Sequence, residues 1–103
     1  MPPEATRPLA VVTGASAGIG KEFCARLAAR GYDLVVVARD GNRLEALKAE
    51  LEQRHRIDVE VFPADLTIDT DVSLVADRLA RSPKLALLVN NAGFGTRGPL
   101  ADA

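Results

Sequence analysis

Four short apolar runs, starting at Leu9, Leu34, Val59 and Leu85, recur about every 25 residues and set what this chain can fold into. Leu34-Val35-Val36-Val37 and Leu85-Ala86-Leu87-Leu88-Val89 are apolar without a break. Uninterrupted runs of this kind suit strands buried on both faces, as in a parallel sheet covered by helices. Helical periodicity fills the intervals. Ile19, Phe23 and Leu27 recur every four residues, Leu44, Leu47 and Leu51 follow the three-four rhythm, and Val72, Val75, Ala76 and Leu79 repeat it. The pattern predicts an α/β fold, β-α-β-α-β-α-β, with right-handed crossovers and strand order 3-2-1-4, part of a doubly wound parallel sheet.

Punctuation between the runs agrees. Asn42-Arg43-Leu44-Glu45 fits a capping box at the start of the second helix, and Gly31 stands where a left-handed cap would close the first. Pro83 interrupts the chain before the fourth strand. The proline-rich residues 1–8 are expected as a disordered or extended lead, with 9–103 as the amino-terminal part of a single doubly wound domain.

Composition narrows the function classes. A net charge of −1 without long runs of either sign argues against a general nucleic-acid binder. Cys24 is the single cysteine, so neither an intrachain disulfide nor zinc-ligand spacing exists. The first apolar run stops at Thr13-Gly14, too short for a signal core or a membrane span. A cytoplasmic protein without membrane partners is expected.

Thr13-Gly14-Ala15-Ser16-Ala17-Gly18-Ile19-Gly20 joins the first strand to the first helix. Such a turn brings backbone N–H groups and the positive end of a helix to one place, where a pyrophosphate can sit. An ordinary tight turn of small residues is the competing reading. The glycine spacing resembles the Thr-Gly-x-x-x-Gly-x-Gly turn of the short-chain dehydrogenase/reductase family, and Asn90-Asn91-Ala92-Gly93 after the fourth run is a second match. The resemblance runs from Leu9 to Leu100 and corresponds to the amino-terminal, cofactor-binding portion of a Rossmann-like family enzyme.

The resemblance implies roles for particular residues. Gly14 would permit the sharp turn, Gly18 would let backbone approach phosphate, and Gly20 would let the helix pack closely. The backbone around Ser16 and Ile19 would meet the cofactor's ribose and pyrophosphate. Asn90 and the Ala92-Gly93 backbone would approach the adenosine-side ribose, while Asn91 would hold the turn through Thr13. Asp65 would accept from the adenine amino group and the Leu66 amide would read the ring; a helix-capping or turn aspartate is the alternative for Asp65.

Arg39-Asp40 ends the second strand, where a ribose-reading residue is expected. A carboxylate there suits the 2′-hydroxyl of NAD, and a guanidinium suits the 2′-phosphate of NADP. Arg39 follows the strand directly, Asp40 is better placed to cap the helix, and Arg43 adds charge one turn on. NADP is therefore favoured over NAD. Cys24 reads as a buried small hydrophobe, His55 as a solvated helix end, and Tyr32, opening the second strand, as a packing residue.

In the family, a tyrosine with a lysine four residues later carries the proton. The only tyrosine here is Tyr32, followed at that spacing by Val36, so this chain contains no catalytic residues of that type. The resemblance implies an NADP-dependent oxidoreductase acting on an alcohol or carbonyl substrate, and a homo-oligomer, with this chain alone inactive. A non-catalytic dinucleotide-binding module and an unrelated α/β fold for another adenine ligand are the alternatives.

Overall fold

The computed structural model describes residues 7–16 and 18–90. Its strands are β1 (Leu9–Thr13), β2 (Asp33–Ala38), β3 (Val59–Pro63) and β4 (Leu85–Asn90). They alternate with α1 (Gly18–Ala29), α2 (Gly41–Arg54) and α3 (Asp69–Ala80). All neighbouring strands run parallel, in the order β3-β2-β1-β4. This is the Rossmann-like arrangement expected from the sequence.

Side chains on alternate faces divide the core into two layers. Ala10, Val12, Leu34 and Val36 pack with Cys24 and Leu27 of α1 and with Leu44, Leu47 and Leu51 of α2. On the other face Val11, Val35 and Val37 pack with Ala64 and Val75. The central strands are apolar throughout because both their faces are covered.

Three expectations shift. In α1 the sheet-facing residues are Gly20, Cys24, Leu27 and Ala28, whereas Ile19 is 67% and Phe23 42% exposed. At about 100° of rotation per residue, a four-residue repeat drifts around the helix. Ile19 is therefore turned furthest from the sheet, Phe23 less, and Leu27 reaches it. In α2 the cap is Asp40 rather than the Asn42 box: the helix starts at Gly41, and the Arg43 amide donates to Asp40 Oδ1 at 3.1 Å. Finally, β4 is not buried on both faces; Leu87 and Leu88 are 38% and 48% exposed. Among the described residues β4 pairs with β1 alone, so its other edge is open.

Other local signals behave as read. Gly31, at φ 89, closes α1, with its amide bonded to the Ala28 carbonyl and the Tyr32 amide to that of Leu27. Tyr32 packs against the core one residue before β2 begins. Arg7, within the segment expected as a lead, is buried and fastened to the sheet: Nε donates to Asp33 Oδ1 at 2.7 Å and Nη2 to Asp58 Oδ2 at 3.2 Å. No helix among the described residues is long and apolar enough to cross a membrane.

Candidate functional site

The carboxyl ends of β1, β2 and β3 meet the amino end of α1. Here the chain leaves β1 through Gly14 at φ 65 and enters α1 through Gly18 at φ 59. Both angles lie in the left-handed region, which side chains with a Cβ rarely adopt. The Ala15 amide donates to the Val37 carbonyl at 3.2 Å and pins the turn to β2. A Cβ built on Gly18 would find nothing within 4 Å, so the space before it is open. Gly20, by contrast, is buried on the sheet-facing side of α1. The two glycines thus do different work.

Between this turn and the ends of β2 and β3 lies a cleft of about 670 Å³. It brings together Gly14, Ser16, Arg39, Asp65 and Leu66 of the residues singled out by sequence, with Asp40, Arg43 and Thr67 beside them. Ser16 and Arg43 also border an adjoining cleft of about 410 Å³ that contains Gly18 and Lys21. A further cavity lies at the opposite ends of the strands, around Arg7, Asp33, Asp58 and Arg78. There Arg7 pairs with both aspartates and Arg78 with Glu60.

Charge in the larger cleft is unevenly committed. Asp40 uses Oδ1 as the cap of α2, and its Oδ2 lies 3.4 Å from Arg43 Nε. Arg39 is exposed at the rim. Asp65 makes the turn that sequence offered as the alternative role: its Oδ1 accepts from the Thr67 amide at 2.9 Å and from the Thr67 hydroxyl at 2.6 Å. These bonds, the hydroxyl's above all, hold the Asp65 carboxyl below its ordinary range, and Arg39 adds to the effect. The Asp65 amide in turn donates to Asp71 Oδ2 at 2.7 Å.

Thr13 is buried at the end of β1, and its hydroxyl lies 2.9 Å from Asn90 Oδ1. Asn90 therefore ties β4 to β1 beside the turn. Asn91, Ala92 and Gly93 lie outside the described residues. Ile19 stands exposed in the first turn of α1. Burial pushes the Cys24 thiol up to about 12, so it is an inert core residue rather than a nucleophile. No group of His, Cys, Asp and Glu suited to a metal occurs among the described residues. Sequence reasoning missed Thr67 and Asp71. The Asp-x-Thr spacing is the signature of a side-chain-to-backbone turn and was there to be found.

The sequence matches the family model described as short chain dehydrogenase over residues 8–103. The chain belongs to that family. It is 41% identical over 86 residues to the very-long-chain 3-oxoacyl-CoA reductase of Meyerozyma guilliermondii, a match covering 82% of this chain and 25% of that protein. A short-chain dehydrogenase from Sphingobium yanoikuyae, solved in complex with NADPH, superposes with a TM-score of 0.83 at 45% identity, covering 88% of this chain and 36% of that one. L-Sorbose reductase from Gluconobacter frateurii, solved with NADPH and L-sorbose, gives a TM-score of 0.78 at 30% identity, covering 95% and 38%. The chain spans about a quarter of the length of the curated relatives it matches.

Proposed function

We propose that this short-chain dehydrogenase chain holds NADP(H) for an oxidoreductase that interconverts an alcohol and a carbonyl compound. One observation carries the cofactor assignment. The cleft beside the glycine turn presents Arg39 at its rim, while the neighbouring Asp40 carboxylate is engaged as a helix cap and by Arg43. The guanidinium is thus the group best disposed to meet a 2′-phosphate, and the carboxylate is poorly disposed to read a 2′-hydroxyl. The NADPH complexes of the Sphingobium and Gluconobacter relatives support the same reading.

The parts of the site fit such a cofactor. The open space at Gly18 and the amino end of α1 suit a pyrophosphate. Asp65 and Leu66 suit an adenine ring, and Ser16 a ribose or phosphate oxygen. When bound, the nicotinamide supplies or accepts the hydride. This chain's residues bind and orient the nucleotide; its only tyrosine, Tyr32, packs against the core. We therefore expect the 103-residue chain to bind without turnover.

Titration of the purified chain with NADPH and NADH, together with a ketone and aldehyde panel, tests both statements. Binding that favours NADPH, with no protein-dependent oxidation, is expected. Gly18→Val should reduce dinucleotide affinity at least roughly tenfold while the far-ultraviolet helical signal persists. Unchanged affinity in that variant would show the turn to be structural only.

A further inference from the structure

The loop between β3 and α3 contains three hydrogen bonds to carboxylate oxygens that the proposed nucleotide site does not by itself require. Two of them, from the Thr67 amide and hydroxyl, end on the same oxygen of Asp65, Oδ1. The third runs from the Asp65 amide to Asp71 Oδ2, on the first turn of α3. Asp65, Leu66 and Thr67 all border the large cleft, across from the glycine turn.

We propose that Thr67 and Asp71 are positioning residues that present the second oxygen of Asp65 to the amino group of an adenine ring. The proposal rests on the nucleotide reading given above. A carboxylate whose Oδ1 accepts two donors from one residue cannot rotate without losing both, so the direction of Oδ2 is set. The Asp71 bond fastens the backbone of the same residue to a helix, a stiffer support than the loop. Thr67 and Asp71 need not touch the nucleotide; they act through Asp65.

Base selectivity follows from this arrangement. An ionised carboxylate accepts hydrogen bonds and donates none. It favours adenine, which offers an exocyclic amino donor, and disfavours hypoxanthine, whose oxygen at that position is another acceptor. A site built to pair a substrate's donor rejects an analogue that lacks it because its own polar group is then left unmatched. Loosening the carboxylate should erode this selectivity and leave the phosphate contacts intact.

The experiment compares binding of NADPH and its hypoxanthine analogue to the full chain and to four variants, with thermal melts alongside. The wild type should prefer adenine roughly tenfold, the range of one charge-assisted hydrogen bond. Thr67→Val and Asp71→Ala should lose most of that preference through weaker NADPH binding, with affinity for the analogue little changed. Thr67→Ser, which keeps the hydroxyl, and Asp71→Asn, which keeps an acceptor for the Asp65 amide, should retain it. A merely structural role would weaken both dinucleotides together and overturns the proposal. So does full adenine preference in Thr67→Val and Asp71→Ala. Failure of the wild type to bind either dinucleotide overturns the nucleotide reading, and the positioning role falls with it. Should one variant fold poorly, the other pair of substitutions decides.

Discussion

Arg39 and Asp40 are adjacent in sequence and opposite in charge, and their neighbours separate their roles. Asp40 satisfies the amide of Arg43 at the start of α2, while Arg39 is exposed on the cleft rim. Arg39→Ala should therefore weaken NADPH binding about tenfold and NADH binding much less, with the difference shrinking as salt is added. Asp40→Ala should cost about 1 kcal/mol of stability through loss of the cap. Asp40→Asn, which keeps a cap acceptor, should leave NADH affinity where it was. Titrating both dinucleotides at one ionic strength checks this pair of expectations, and a clear fall in NADH affinity for Asp40→Asn would return the ribose to Asp40. Sequence suggested Asp40 as a cap and Arg39 as the phosphate partner. It could not show that Arg43 also approaches the second Asp40 oxygen, because that depends on side-chain placement across a helical turn.

Elements are held together by a few specific polar links in addition to the apolar layers. Arg78 of α3 grips Glu60 of β3 with two bonds, Nε to Oε2 at 2.9 Å and Nη2 to Oε1 at 2.7 Å. The Arg78 hydrogen bond, opposed by burial, holds the Glu60 carboxyl below its ordinary value of 4.5. A carboxyl lowered in the folded state adds stability above its unfolded pKa and loses it as pH falls toward the folded one. Wild type should thus exceed Glu60→Gln in urea midpoint at pH 7, and the gap should close as pH falls below about 4. Partial exposure of both side chains keeps the effect small, roughly 0.2–1 kcal/mol. A gap that persists unchanged in acid would refute the assignment. The pairing joins residues 18 positions apart in sequence, so no helical or strand periodicity announces it.

At the scale of the whole molecule, both faces of the sheet lose cover at β4. Leu87 and Leu88 are exposed, as are Val72 and Leu74 on α3. A parallel strand with one open edge and apolar side chains is a template for another chain. The 103-residue chain should self-associate at concentrations on the order of tens of micromolar. Light scattering that shows a monodisperse monomer there would count against this. Lys or Glu in place of Leu88 should reduce the association by placing a charge at the edge.

The order of elements was already legible in the linear chain. Apolar runs, helix periods, Gly31 and the strand-turn-helix at Gly14–Gly20 are local signals, governed by backbone geometry and the spacing of side chains along one segment. The parallel order 3-2-1-4 was expected as that of one half of a doubly wound fold with right-handed crossovers. Three-dimensional packing decided the rest. It selected the small face of α1 over Ile19 and Phe23 and left β4 half exposed. It buried Arg7 between Asp33 and Asp58, and it set Asp65 in the grip of Thr67 and Asp71. Each outcome depends on which surfaces meet and on where a side chain finds a partner, and those are properties of the assembled fold rather than of any one segment.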